Sequence, residues 1–290
     1  MPVDISADPA YLNFVQPGTT PPAGCSWISN IYPLRPMNEI KTILIRVFGF
    51  PGFSTGTRSR RKALSAGLLL KFAGFSLLKA VLYLHGALIV FTLITSLLYS
   101  VMNPPTTSLI MYRRLFFNYK TKTKVFVPLD KIPKHVRRMF IKVEDYKFYE
   151  HPGIDPEAIK RAFDVNKTIG YNLYGGSTIT MQLARTLFLI PKKSYLRKYV
   201  EVIIALEMDL VMKKDRILEL YINNIEWGKG VYGIGAASQH HYGKKTAALT
   251  TDEFRRLVVI LTNPLKYNVD TFWKSRGMVE RYFYLLTRFP

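Results

Sequence analysis

GGSTITMQLARTLFL, residues 175–189, sets two glycines ahead of a run that is polar on one side and apolar on the other. At helical spacing Ile179, Leu183, Leu187 and Ile190 form one stripe, and Thr178, Gln182 and Arg185, at i, i+4 and i+7, form another. The expected helix runs from about Thr178 to Ile190, with Ser177 as its N-cap. The unpaired N–H groups and partial positive charge of a helix start suit an anion, and Gly175 and Gly176 would let a phosphate or a sugar come close to them. A capped helix after a turn explains Ser177 and the glycines equally well. It does not explain why Gln182 and Arg185 share a side.

The segments around this stretch also read as helices. Pro133 suits the first turn of a helix whose apolar residues Val136, Met139, Phe140 and Val143 follow the i, i+3, i+4, i+7 rule. Glu144 and Asp145 fall at its end and open EDYKFYEHPGID, residues 144–155. Carboxylates at a helix C-terminus meet the negative end of the dipole, which disfavours ionisation and could tune Glu144 toward a base; an exposed acidic helix end is the plainer alternative. A third helix, from Tyr195 to Met212, is apolar almost all round, which implies burial. Within it Glu201 heads a face made of Ile204, Ala205, Met208 and Met212. An unpaired charge there would cost several kcal/mol, so Glu201 needs a partner or a role. Arg197 and Lys198, four and three residues earlier, are the structural partners on offer, and could equally face a substrate phosphate. Two separated carboxyls with a cationic cluster are the minimum equipment for glycosyl transfer from a phosphate leaving group. DRILELYINN continues the helical pattern into WGKGVYGIGAA. Because GKGVYG follows a helix-like segment and not a strand, it is not read as a dinucleotide site. Strand-like alternation is scarce, so the domain is expected to be mainly α.

Composition sets the surroundings. Forty-one Lys and Arg against twenty Asp and Glu give a formal charge of +21, which favours an anionic partner. The single cysteine, Cys25, excludes an internal disulfide framework and a multi-thiolate metal site, and His240 and His241 lack metal-binding spacing. Residues 80–101 contain no Asp, Glu, Lys or Arg; as a helix they would be about 33 Å long, enough to cross a hydrocarbon core of roughly 30 Å. A buried helix of a soluble protein is the competing reading, disfavoured by length and by the sharp flanks. His85 is the one titratable group inside the run and reads as an interfacial or neutral histidine. Arg58, Arg60, Arg61, Lys62, Lys71 and Lys79 precede the run and Arg113 and Arg114 follow it, which puts the N-terminus in the cytoplasm. The run begins too late for a signal peptide and no cleavage pattern follows it. The expected layout is a mostly irregular basic cytoplasmic tail at 1–79, with IKTILIRVF a short surface-seeking segment, a transmembrane anchor at 80–101, and an extracytoplasmic, periplasmic domain at 102–290.

Taken together and in order, EDYKFYEHPGID, GGSTITMQLARTLFL, RKYVE, KDRILELYIN and GKGVYGIGAASQHHYGK resemble the five motifs of the bacterial peptidoglycan glycosyltransferases, glycosyltransferase family 51, over roughly residues 113–268. The resemblance implies a lysozyme-like helical glycosyltransferase domain behind a single transmembrane helix of the inner, cytoplasmic membrane. It implies polymerisation of lipid II into β-1,4-linked glycan strands with release of undecaprenyl pyrophosphate. Residues 245–290 are too few for the transpeptidase domain of bifunctional relatives, so the expectation is a monofunctional enzyme. By resemblance Glu144 is the base for the acceptor hydroxyl, and Glu201 assists the departing pyrophosphate, directly or through a divalent ion such as Mg2+ or Mn2+; no cofactor is obligatory. Ser177, Thr178, Gln182, Arg185, Arg197 and Lys198 match substrate-binding positions. Asp145, Phe148, His151, Gly153 and Asp155, with Gly175 and Gly176, match a supporting shell. The implied partners are lipid II, the growing glycan strand, the membrane and other cell-wall synthesis proteins, with no nucleic acid. Met181, Arg185 and Thr186 depart from the family's glutamine, lysine and asparagine, and Tyr146 stands where arginine is common, which touches binding strength more than reaction type.

Two other readings compete. A lysozyme-like glycan hydrolase or lytic enzyme would share a fold and a catalytic glutamate, but a glycan chain needs no cationic cluster or anchor. An inactive membrane scaffold for wall synthesis is opposed by the presence of both Glu144 and Glu201.

Overall fold

The computed structural model describes residues 66–170 and 175–290. Among them, ten α-helices and one hairpin follow in order: α1 (Ala66–Val101), α2 (Ser108–Phe117), α3 (Lys134–Glu144), α4 (Pro156–Ile169), α5 (Ile179–Phe188), α6 (Tyr195–Val211), α7 (Lys214–Asn224), β1 (Glu226–Gly228), β2 (Val231–Tyr232), α8 (Ile234–Tyr242), α9 (Thr251–Ile260) and α10 (Arg276–Arg288). The domain is mainly α, as its periodicity requires. The tail at residues 1–65, including IKTILIRVF and the arginine cluster, lies outside the described residues.

Helix α1 begins at Ala66, so residues 66–79 are helical where the sequence suggested the end of an irregular tail. Its stretch Ala73–Val101 has a mean hydropathy of 2.1 and is long and apolar enough to cross a membrane. Most of its large side chains from Phe75 to Val101 are exposed, which a soluble core helix would not tolerate.

The opening stretch becomes the hub of residues 78–290, which form one compact unit. Helix α5 packs against α2, α6 and α7. Ile179, Leu183 and Leu187 are buried as their spacing demands, but Met181, Ala184, Thr180 and Thr186 are buried too, so the helix is enclosed on most sides. Burying each large apolar side chain here contributes about 1.5–3 kcal/mol. Ile190 departs from expectation: α5 ends at Phe188 and Ile190 is half exposed beyond it. Helix α3 is as read, with Pro133 at its N-cap and Val136, Met139 and Phe140 in the core, where Phe140 meets Trp227 edge-on at 5.8 Å.

Helix α6 corrects the burial reading. Its inner face, Glu201, Ile204, Ala205 and Met208, is fully buried, but Tyr195, Leu196, Tyr199 and Leu210 are exposed. Apolar residues all round this helix serve two faces, one packed on the core and one turned outward. Part of the outer side meets α1: Tyr199 stacks on His85 at 5.8 Å, and the Thr92 hydroxyl donates to Glu207 at 2.6 Å. His85 thus has a neighbour on the domain in Tyr199.

The glycine-rich stretch is not a nucleotide loop. Helix α7 leads into an antiparallel hairpin in which Glu226 faces Tyr232. Gly233 follows at φ 80, where an added Cβ would lie 2.4 Å from the Asn223 carbonyl oxygen. Only glycine fits so close an approach at positive φ.

Candidate active site

Glu144 is the last residue of α3, and Asp145 is its C-cap. Asp145 then turns inward to hold the start of α5. Its carboxylate accepts from the Ile179 backbone N–H at 2.9 Å and is hydrogen-bonded to His151 Nε2 at 2.9 Å. Burial pushes the Asp145 carboxyl up, opposed by the Ile179 N–H, His151 and Lys214. The N-cap of α5 is Thr178, whose Oγ1 accepts from the Met181 N–H at 3.1 Å and donates to the Gly153 carbonyl at 2.6 Å. Ser177 is therefore not the cap: a second residue already closes the first turn. Ile179 and Met181 are thus satisfied by the protein, so two of the first-turn donors are engaged within the fold. Gly176 has a structural reason, since a Cβ there would lie 2.6 Å from the Ile159 Cα.

The rest of the supporting shell fixes this corner. Phe148 is fully buried, Asp155 caps α4 by accepting from the Ala158 N–H at 2.9 Å, and Gly153, at φ +85, lies against the Ala205 backbone.

Glu201 is fully buried and surrounded by cations. Arg197 makes a close ion pair with one oxygen, Lys198 donates to the other at 2.9 Å, and Arg185 lies 3.9 Å away. Lys198 also donates to the Ser177 hydroxyl at 2.7 Å, which is where Ser177 is used. Burial lowers the Lys198 ammonium pKa, offset in part by Glu201. Each partner of Glu201 is thus supplied by the residues the sequence placed near it or on the facing helix.

One helix joins the two carboxyls. Gln182 donates to Glu144 Oε2 at 3.0 Å, and Arg185, on the next turn of α5, is the residue nearest the Glu201 cluster from that side. The Tyr221 hydroxyl donates to Gln182 Oε1 at 3.1 Å, so the amide must present its nitrogen to Glu144. Glu144, Gln182, Arg185, Ser177 and Gly175 line a cavity of about 620 Å³. A second cavity of about 450 Å³ shares Gln182 and Arg185 and adds Arg197, Lys193 and Arg113. On the other side of Glu144 a third, of about 350 Å³, is lined by Thr178, Gly176, Tyr146 and Arg161. The arrangement is a groove with one acceptor carboxylate at its middle and a cationic flank fed from behind by a buried counter-carboxylate.

Several residues of this site carry no local signature. Arg281 pairs closely with Glu144, the Thr262 hydroxyl accepts from Arg281 at 2.7 Å, and Tyr221 orients Gln182. Arg281 lies far along the chain from Glu144, and no spacing rule links them. The departures from the family pattern also find places. Met181 is fully buried in the core. Thr186 donates to the Gln182 carbonyl at 2.9 Å. Arg161 donates to the Tyr146 hydroxyl at 3.0 Å with its guanidinium 5.6 Å from the ring, so a cation stands where Tyr146 lacks one. A divalent ion does not fit this donor set: both oxygens of Glu201 are engaged by Arg197 and Lys198, and among the described residues no three His, Cys, Asp or Glu side chains converge.

Comparison with known proteins gives the family. A family model described as transglycosylase matches residues 112–288. The chain is 41% identical over 165 residues to a biosynthetic peptidoglycan transglycosylase of Dechloromonas aromatica, covering 57% of this chain and 71% of that protein. It is 39% identical over 179 residues to the same enzyme of Nitrosospira multiformis, covering 59% and 78%. Penicillin-binding protein 1A of Aquifex aeolicus is 39% identical over 175 residues, covering 60% of this chain and 24% of that longer protein. The matched region contains α3 through α10, and with them both carboxyls, the cationic flank and the groove between: the chain belongs to the transglycosylase family, together with the biosynthetic peptidoglycan transglycosylases.

Proposed function

We propose that the protein polymerises lipid II, with Glu144 as general base and the cations around Glu201 receiving the leaving pyrophosphate. The observation that carries this reading is the pairing of Gln182 with Glu144 and of Arg185 with Glu201 from adjacent turns of one helix. The acceptor sugar's 4-hydroxyl lies against Glu144 and attacks the anomeric carbon of the donor. The new C1–O4 bond forms as the C1–O bond to pyrophosphate breaks, the electron pair leaves on the phosphate oxygen, and the proton passes to Glu144. Attack opposite the leaving group turns an α-linked pyrophosphate into a β-1,4 glycosidic bond. Arg185, Arg197 and Lys198 face the charge that develops on the leaving oxygen, where fixed cations act most strongly. Glu201 holds those cations in place, which a water-filled cleft would not do.

The layout follows from the same reading. Residues 80–101 anchor the chain in the inner membrane, the basic residues before them stay in the cytoplasm, and residues 102–290 work at its outer face. The membrane-borne donor then reaches the groove from the side of α1. Purified protein with lipid II should yield glycan polymer, and Glu144→Gln should lower the rate by at least about a hundredfold, as loss of a general base does. An unchanged rate in that variant refutes the assignment. Arg185→Ala should weaken donor use.

A further inference from the structure

The carboxylate at the centre of the groove is held by a residue that lies outside every motif of the sequence. Arg281, on α10, forms a close pair with Glu144 Oε1 through Nη2, and the same nitrogen donates to the Val143 carbonyl at 3.1 Å. Its Nη1 donates to the Thr262 hydroxyl at 2.7 Å, just beyond α9. The pair is largely shielded, with side-chain exposures of 19% for Arg281 and 13% for Glu144. The guanidinium thus spans three elements: the end of α3, the end of α9 and its own helix.

We propose that Arg281 is a positioning residue for Glu144, which fixes Oε1 and leaves Oε2 as the atom that takes the acceptor's proton. The proposal rests on the reading of Glu144 as the base. Three features support it. Val143 is among the last carbonyls of α3, which have no partner within the helix, so one side chain fastens both the helix end and the carboxylate. A cation at that end also opposes the negative pole of the helix, which otherwise disfavours a carboxylate there. Finally, the two oxygens differ in what faces them. Oε1 meets a fixed positive charge, a poor place for a proton, while Oε2 meets the neutral amide of Gln182 and keeps a lone pair free. The planar fork of Arg281, unlike a point charge, can hold Oε1, the Val143 carbonyl and Thr262 at once.

The charged and titratable groups near Glu144 are Arg281 and Tyr284 from α10, Arg185 from α5, Tyr221 from α7, Asp155 and Arg161 from α4 and its cap, and Lys142, Asp145 and Tyr146 on its own stretch. Burial pushes the Tyr221 hydroxyl well up, so it stays neutral. Removing Arg281 therefore removes the cation in direct contact with the base.

The experiment measures kcat and KM for lipid II in the full-length protein and in Arg281→Ala, Arg281→Lys and Glu144→Gln. In Arg281→Ala kcat should fall about tenfold, within the range set by general-base catalysis, with KM little changed. Arg281→Lys should recover kcat only in part, because the charge is restored and the fork is not. This variant carries the test if Arg281→Ala does not fold. An unchanged kcat in a folded Arg281 variant, or a loss that falls on KM instead, while Glu144→Gln is inactive, overturns the positioning role alone. An active Glu144→Gln removes the base reading and this proposal with it.

Discussion

The Gln182 side chain donates to Glu144 at 3.0 Å and is itself held by Tyr221 at 3.1 Å, so the orientation of the proposed base is set from the middle of the core. Gln182→Leu keeps the size of the side chain and removes both bonds. The expected result is a fall in kcat of roughly ten- to a hundredfold with the fold retained, because a misplaced base loses the alignment on which general-base catalysis depends. Steady-state polymerisation rates alongside a thermal melt check this. A variant that keeps the original rate would show that Gln182 does not orient Glu144.

Glu201 is the keystone of a buried ion cluster, so its neutralisation should be felt first as instability. Glu201→Gln leaves Arg197 and Lys198 facing one another with no counter-charge. Breaking a buried pair by removing one partner costs about 3–5 kcal/mol. The double variant Glu201→Gln, Arg197→Gln should recover part of that loss, since the surplus cation is then gone. Denaturant unfolding of the four proteins in the cycle gives the coupling directly. Equal midpoints for the original and Glu201→Gln proteins would mean that the cations do not depend on the carboxylate.

The sequence revealed the helices of this site better than it revealed what closes them. Periodicity located α3, α5 and α6 and put Glu144 at the end of its helix and Glu201 at the head of a buried face, because an apolar stripe constrains every third or fourth residue. It also brought Arg197 and Lys198 to Glu201, since both lie within one turn of it. The N-cap of α5 was misplaced by one residue: Ser177 and Thr178 are chemically equivalent caps, and the choice between them is made by the Gly153 carbonyl and Asp145, which are distant in sequence. The outward face of α6 was misread for a related reason. An apolar residue facing a core and one facing outward look alike in a sequence. Arg281 had no signal at all, because its partner is reached only through the packing of α9 on α3 and α10.

Lys124 gives the domain a dependence on alkaline pH. Its ammonium donates to the Asn224 side chain at 2.6 Å and to the Pro104 carbonyl at 3.1 Å, and burial lowers its pKa to about 8 from the 10.5 of an ordinary lysine. Between those values the unfolded chain holds the proton that the folded chain has released. Stability should therefore rise with pH across this window and be lost again as pH falls through about 8. Lys124→Met removes the titration. Thermal melts of both proteins over that range should show the original gaining on the variant, and parallel curves would contradict the assignment.

Glu207 ties α6, the helix that carries Glu201, to the apolar helix α1. Its Oε2 accepts from the Thr92 hydroxyl at 2.6 Å, while its Oε1 is buried with no partner, and Thr92 is almost fully buried. Burial pushes the Glu207 carboxyl up, with the Thr92 hydroxyl acting in the opposite sense. Its folded pKa lies above its unfolded one, so its favourable contribution is complete at acidic pH and declines as pH rises through the folded value. Glu207→Gln keeps a group that can accept from Thr92 and should remove that decline, making the protein as stable as the original or more so at neutral pH. Thr92→Val should do the reverse, because it leaves the carboxyl buried without its donor, a loss of about 1–3 kcal/mol. Melts of the detergent-solubilised protein at acidic and neutral pH separate the two. A Thr92→Val protein as stable as the original at both would mean that this contact does not hold α1 against the domain, and that packing around His85 and Tyr199 does so alone.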